Sequence, residues 1–159
     1  MSEKFYLAYG SNLNVEQMHY RCPGAKRIGT TSLNGYRLTF RGNNRSNGVA
    51  NIEPRHGSSV PVGIWSITDR DERNLDHYEG FPFLYDKVTF KVQLPDLRTV
   101  DAIAYVMTGG RPWAQPSAYY LETIKQGYRD FGFENRKLLY AARTPVAHLS
   151  PEIVKEVSQ

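Results

Sequence analysis

One carboxylate is placed where acid–base chemistry could use it. In the segment TDRDERNLDHYEG (68–80), helical spacing puts Leu75, Tyr78 and Glu79 on one face, which should point to the core. A carboxylate in the last turn of a helix is unfavourable for the helix dipole and costly to bury. Two interpretations of Glu79 follow from this pattern. It either turns out to water or pairs with Lys87 or an arginine, or it is a buried general base.

A second stretch that could do chemistry is YLAYGSNL (6–13), where an apolar strand runs into Gly10-Ser11-Asn12. Glycine allows a close approach of the backbone to another group, and the next two residues carry small polar side chains. A plain turn explains this composition, and so does a pocket in which backbone N–H groups bind a ligand.

Other catalytic patterns are missing from the sequence. The four histidines (His19, His56, His77 and His148) lack metal-ligand spacing, and a CxxC pair is absent. The sequence contains neither a GxSxG nucleophile elbow nor a glycine-rich phosphate loop. A lone cysteine, Cys22, is more often inert than nucleophilic. The remaining chemistry is acid–base catalysis by one carboxylate, and we expect no metal and no cofactor.

Composition sets the broad class. The 159 residues are 40% hydrophobic, which predicts one globular domain spanning residues 1–159. The net charge of +4 is spread along the chain without a nucleic-acid-binding signature, so no nucleic-acid partner is expected. Apolar runs are too short to span a bilayer, and a single cysteine with no visible signal peptide predicts a cytoplasmic protein. The oligomeric state stays open.

Alternation and turn residues predict a small α+β fold. The clearest strand is KVTFKVQL (87–94), whose apolar residues alternate with polar ones. Short connections favour antiparallel neighbours, so we expect a mixed, strongly curved, barrel-like β-sheet with a few short helices. The further predicted strands are 4–10, 36–42, 48–54, 60–67 and 101–107, with a turn at 55–59, and the predicted helices are 14–22, 68–80, 117–132, 134–142 and 150–157.

Four segments, taken in order, resemble the γ-glutamylcyclotransferase family, including its AIG2-like and γ-glutamylamine cyclotransferase-like members. They are YLAYGSNL (6–13), VGIWSIT (62–68), LDHYEGFPFLYDK (75–87) and PSAYYLETIKQG (116–127). The similarity spans about residues 4–132, and residues 133–159 carry no family motif. It implies a small, barrel-like mixed fold with a cavity, and release of 5-oxoproline from a γ-glutamyl amide without metal or cofactor.

The resemblance also implies roles for individual residues. Glu79 would be the general acid and base. Tyr6, Leu7, Ala8, Tyr9, Gly10 and Ser11 would line the γ-glutamyl pocket, and backbone N–H groups of residues 10–12 would bind a carboxylate or the developing oxyanion. Tyr85 and Tyr120 match substrate-contacting tyrosines, although both could also be packing residues. The alternative function is a catalytically inactive module on the same fold that binds a small molecule or a protein. The leaving group stays open: an amino acid, the ε-amine of lysine or a γ-glutamyl-protected metabolite.

Overall fold

The computed structural model describes residues 3–42, 47–107 and 109–147, in which five strands form one sheet with the order β2-β3-β1-β5-β4. The strands are β1 (Lys4–Ala8), β2 (Lys26–Gly42), β3 (Gly48–Ile67), β4 (Tyr85–Gln93) and β5 (Thr99–Met107). The helices are α1 (Val15–Arg21), α2 (Asp69–Glu79), α3 (Ala118–Phe131) and α4 (Arg136–Arg143), and a short 3₁₀ turn spans Ser11–Leu13. No helix in the described ranges is both long and apolar enough to cross a membrane.

Strand β1 lies in the middle of the sheet. Its apolar residues from Phe5 to Ala8 are buried, and it pairs antiparallel with β3 and parallel with β5. A strand covered on both faces is continuously apolar rather than alternating, as observed here. The predicted α+β fold with a mixed sheet is therefore confirmed.

The sheet curves strongly but does not close into a barrel within the described residues. Strands β2 and β4 are its two edges. Its curvature brings β3 close to strands that are not its neighbours: the Tyr85 hydroxyl on β4 donates to the Ala50 carbonyl at 2.5 Å, and the Met107 amide on β5 donates to Oδ1 of Asn51 at 2.8 Å.

Strands β2 and β3 form a longer hairpin than the sequence pattern predicts. β2 begins at Lys26 instead of residue 36, because its first half is an exposed edge with polar residues that hide the alternation. The prediction that a turn at 55–59 separates two strands was wrong, because β3 continues through these residues. Pairing passes from Asn34 opposite Ser59 to Tyr36 opposite Pro54, which leaves residues 55–58 outside the ladder. The turn residues form a bulge within one strand.

Side-chain caps begin three of the helices. The side chain of Asn14 accepts from the Gln17 amide to begin α1, and the Ser117 hydroxyl accepts from the Tyr120 amide to begin α3. Thr68 begins α2 in a capping box with Asp71. The helix predicted at 150–157 lies outside the described residues.

Close packing of α3 fixes its position relative to the loop after β1. A Cβ on Gly127 would lie 2.6 Å from the Asn14 nitrogen and 2.6 Å from the Leu13 carbonyl carbon, so a larger residue would push the helix away. This contact explains the glycine inside a helix, which otherwise costs about 1 kcal/mol relative to alanine. It also sets the distance between the loop and Tyr120, at the start of the same helix.

Candidate active site

A cavity of about 420 Å³ opens where the loop after β1, the end of α2 and the start of α3 meet. Eight of the ten residues predicted for the site line it, namely Tyr6, Tyr9, residues 10–12, Glu79, Tyr85 and Tyr120. The other two, Leu7 and Ala8, are fully buried in β1 and do not line the cavity. Five lining residues were not predicted: Val49, Ala50, Tyr78, Leu84 and Tyr105.

Glu79 is the last residue of α2, and its half-buried side chain lines the cavity. Its carboxylate makes no hydrogen bond or ion pair within the described parts of the chain. The cation expected as a possible partner, Lys87, instead contacts Glu72 at 2.7 Å and Asp76 at 2.9 Å. Burial raises the pKa of Glu79 from 4.5 to about 7, against a smaller lowering by the charge of Arg21. Both protonation states are therefore populated at neutral pH.

Arg21, in the last turn of α1, connects the loop to helix α2. Its guanidinium donates to Oδ1 of Asn12 at 2.6 Å and to Oγ of Ser11 at 3.2 Å, and its Cζ lies 3.3 Å from the centre of the Tyr78 ring. A guanidinium stacked on an aromatic ring and bonded to a loop holds both in place. Sequence reasoning missed this residue, because a cation near a helix C-terminus is already explained by the helix dipole.

Two predicted tyrosines hold the backbone of the same residue, Ala50 of β3. The Tyr85 hydroxyl donates to the Ala50 carbonyl at 2.5 Å, and the Tyr120 hydroxyl accepts from the Ala50 amide at 3.0 Å. Burial raises the pKa of both hydroxyls above the usual range, so both are protonated at neutral pH. The proton of Tyr120 is not used in its bond to Ala50 and is available to a ligand.

The loop after β1 is fixed by its Asn12 side chain and carbonyl. Asn12 Nδ2 donates to the Tyr6 hydroxyl at 2.9 Å, and the Asn12 carbonyl accepts from Nε1 of Trp65 at 3.1 Å. The amide N–H groups of Ser11 and Asn12 donate to no acceptor among the residues the structure describes. Two donors on a rigid, buried loop suit an anionic or carbonyl oxygen of a ligand.

Gly10 keeps the cavity open. A Cβ built there would lie 3.1 Å from Cβ of Ala50 and 3.7 Å from the Tyr120 hydroxyl oxygen. The first distance is tighter than ordinary contact, so even one methyl group would press on the wall of the cavity. The Gly-Ser-Asn stretch is therefore part of a pocket and not only a turn.

Tyr105 reaches the cavity from the middle of β5. Its hydroxyl donates to Oδ1 of Asp76 at 2.5 Å, and its carbonyl accepts from the Tyr9 hydroxyl at 2.5 Å. Asp76 is one turn before Glu79 on α2 and is paired with Lys87. No sequence pattern indicated Tyr105 as a site residue, because a tyrosine in an apolar strand is usually interpreted as a core residue.

In the described ranges, no group of three or more His, Cys, Asp or Glu side chains is arranged to hold a metal ion.

Comparison with known proteins agrees with this architecture. Residues 6–127 match the family described as "Gamma-glutamyl cyclotransferase, AIG2-like". The γ-glutamylcyclotransferase of Homo sapiens is 30% identical over 135 residues, which cover 80% of this chain and 71% of the human protein. That of Mus musculus is also 30% identical over the same length and coverage.

Solved structures share the fold. One named "Gamma-glutamyl cyclotransferase" has a TM-score of 0.75 at 24% identity and covers 98% of both chains. A Homo sapiens protein described only as uncharacterized has a TM-score of 0.77 at 24% identity, with full coverage of both chains. The match of residues 6–127 covers the loop, Glu79 and Tyr120 together, and the chain therefore belongs to the AIG2-like γ-glutamyl cyclotransferase family.

Proposed function

We propose that the protein is a γ-glutamylcyclotransferase that releases 5-oxoproline from a γ-glutamyl amide, with Glu79 as general base and general acid. The family assignment supports the type of enzyme, and the cavity supports the roles of individual residues. The observation that carries the proposal is the Glu79 carboxylate, which borders the cavity, is unpaired among the described residues and has a pKa of about 7.

The reaction is an intramolecular displacement. The substrate's α-amine attacks its own γ-carbonyl carbon, a five-membered ring forms, and the bond from that carbon to the amide nitrogen breaks. Holding the amine close to the carbonyl in a reactive geometry supplies much of the acceleration. The cavity of about 420 Å³ is within the range that encloses small ligands.

Glu79 transfers a proton from the α-amine of the substrate to the leaving nitrogen. The α-ammonium group has a reference pKa of about 8 and must lose one proton before it can attack. Glu79 as a carboxylate takes that proton and, as a carboxylic acid, gives it to the departing nitrogen. The ring nitrogen gives its second proton to water when the tetrahedral intermediate collapses, and the released amine takes up one proton from water to become an ammonium ion. A pKa of about 7 suits a group that must both accept and donate near neutral pH.

The remaining lining groups suit the charges of the substrate. The amides of Ser11 and Asn12 are positioned to bind the α-carboxylate or the oxyanion that forms on the γ-carbonyl. The free proton of the Tyr120 hydroxyl is a third donor. Each of these donors belongs to a group that is already fixed by other contacts, so little reorganisation is needed when charge develops.

The direct test offers the purified protein a panel of γ-glutamyl amides and detects 5-oxoproline by mass spectrometry. The panel includes a γ-glutamyl amino acid, ε-(γ-glutamyl)lysine and a small γ-glutamyl amine, which together also identify the leaving group. We expect 5-oxoproline from at least one of them. If none yields 5-oxoproline while some bind, the protein is a binding module and the proposed catalysis is wrong.

A further inference from the structure

A second cavity, of about 500 Å³, lies between the middle of the β2–β3 hairpin and helices α3 and α4. It shares no lining residue with the first cavity. The bulge at residues 55–58 and the neighbouring Ser59 form one wall, and Tyr128 of α3 and Lys137 of α4 are on the other side.

The lining is rich in positive charge. Among the residues that the structure describes, four cations line the cavity and neither Asp nor Glu does; the cations are Arg37, Arg55, Arg136 and Lys137. Arg37 and Arg55 form no ion pair within the described ranges. Arg136 contacts Glu134 at 3.3 Å, but both side chains are exposed, and such pairs leave most of the charge available.

The buried carboxylate on the adjacent strand does not neutralise this charge. Glu53 lies opposite Arg37 in the β2–β3 ladder. Its Oε1 accepts from Arg41 at 2.8 Å, and its Oε2 accepts from Arg41 and Thr39, each at 2.5 Å. Both oxygens are thus occupied by groups other than Arg37.

Two buried polar atoms of the lining residues have no hydrogen-bond partner in the described structure. They are the hydroxyl of Tyr128, a residue that is 1% exposed, and Nε of Arg37. Buried donors are almost always paired with protein, water or a ligand. Both atoms have almost no accessible surface, so a ligand in the cavity does not reach them, and the remaining guanidinium nitrogens of Arg37 and Arg55 are the donors to an oxyanion. The apolar part of the lining, including Leu38, Val60 and Ala141, can contact an uncharged portion of the same molecule.

We infer that this cavity binds a small molecule carrying a phosphate or carboxylate group. The anionic group is held by Arg37 and Arg55, and the body of the ligand contacts the apolar residues. Guanidinium groups bind both kinds of oxyanion in a two-point geometry, and the two head groups share this recognition.

The test measures binding by calorimetry at constant ionic strength, with pyrophosphate, citrate and sodium chloride as probes. We expect saturable binding of one pyrophosphate or one citrate per chain, with no saturable response to chloride. Tighter binding of pyrophosphate assigns a phosphate head group, and tighter binding of citrate assigns a carboxylate. The Glu79→Gln variant should bind equally well, so this result does not depend on the proposed catalysis.

Variants locate the site. The double variant Arg37→Gln/Arg55→Gln should weaken binding by at least about tenfold, the loss expected when charged hydrogen-bond donors are removed. The single variant Arg55→Gln, at an exposed position of the lining, should weaken binding several-fold while the protein remains folded. The matched control, Lys26→Gln/Arg70→Gln, removes the same charge from exposed positions outside the cavity and should bind normally.

Three results would overturn the inference. The first is that neither pyrophosphate nor citrate binds saturably. The second is that the Arg37/Arg55 variant, while folded, binds as tightly as the unmodified protein. The third is that the Lys26/Arg70 control loses as much affinity as the cavity variant. The last result would mean a general effect of net charge.

Discussion

The Arg21 guanidinium donates to Oδ1 of Asn12 at 2.6 Å and influences Glu79 only through its charge. It therefore has two separable effects on the site. One is mechanical, because it fixes the loop whose amides face the substrate in our proposal. The other is electrostatic, because its charge partly offsets the rise in the pKa of Glu79 that burial causes.

Arg21→Gln tests both effects. Loss of the positive charge should raise the pKa of Glu79 further, so the acid side of the pH–rate profile should move to higher pH. The measurement is kcat/KM for 5-oxoproline release from pH 5 to 9. Arg21→Lys is the control: it keeps the charge but not the planar donor geometry, so the profile should stay in place while kcat/KM falls. An unchanged profile in Arg21→Gln would show that the charge of Arg21 does not reach Glu79.

Glu79→Gln should remove catalysis while keeping shape and packing. The loss of a general acid–base group typically costs about 10²–10⁴ in rate, and the upper end is expected here because one group serves both proton transfers. The assay is 5-oxoproline release under saturating substrate, with circular dichroism to verify folding. Glu122→Gln is the matched control, since it removes an exposed carboxylate from α3. Glu122 pairs with Lys125 and Arg129, but these side chains lie at the surface, whereas Glu72 is a poorer control because its side chain is only 18% exposed and pairs with Lys4 and Lys87. A folded Glu79→Gln enzyme that keeps more than about a tenth of the rate, far short of that loss, is incompatible with our mechanism.

The same variant should change how stability depends on pH. The pKa of Glu79 is raised from 4.5 to about 7 in the folded state. Between these values the folded protein holds a proton that the unfolded chain has released, so the contribution of Glu79 to stability is lost as pH rises from 4.5 to about 7. The loss amounts to about 3 kcal/mol. Glu79→Gln should therefore match the unmodified protein at low pH and be more stable above pH 7.

Urea unfolding of both proteins at pH 5 and pH 8 provides the measurement. The free energies of unfolding should be similar at pH 5, whereas the variant should be the more stable protein at pH 8. Equal stabilities at both pH values would mean that Glu79 titrates normally.

The sequence predicts those features of the fold and site that depend on residues close together in the chain, and it fails for those that depend on tertiary packing. The position of Glu79 followed from helix spacing, and the start of α2 followed from Thr68, because caps and faces are set by neighbouring residues. Arg21 contacts the loop and Tyr105 lines the cavity only because of how α1 and β5 pack, which no local pattern encodes. The bulge at residues 55–58 was wrongly predicted as a strand end for a related reason. Its turn residues are typical of a strand end, but pairing with β2 resumes beyond them.

Gly10→Ala tests whether the cavity requires a residue without a side chain at position 10. The added methyl group would lie 3.1 Å from Cβ of Ala50, so it should displace this wall and the Tyr120 hydroxyl next to it. We expect a large rise in KM with little loss of thermal stability, and Gly10→Val should abolish turnover. Gly42→Ala is the matched control, because its methyl group would meet Cβ of Ala114 at an ordinary 3.6 Å. Full activity in Gly10→Val would contradict the pocket assigned to this loop.

Tyr120→Phe separates a substrate donor from a packing residue. The variant leaves the Ala50 amide without its acceptor, which should lower the free energy of unfolding by about 1–3 kcal/mol. In our proposal it also removes a donor to the substrate, so kcat/KM should fall by about tenfold or more, since a hydrogen bond to a charged group contributes about 1.5–3 kcal/mol. Tyr119→Phe is the control, because that neighbouring tyrosine is 81% exposed and should affect neither quantity. If Tyr120→Phe loses stability but keeps its kcat/KM, the hydroxyl only supports Ala50, and the substrate must be held by the loop amides alone.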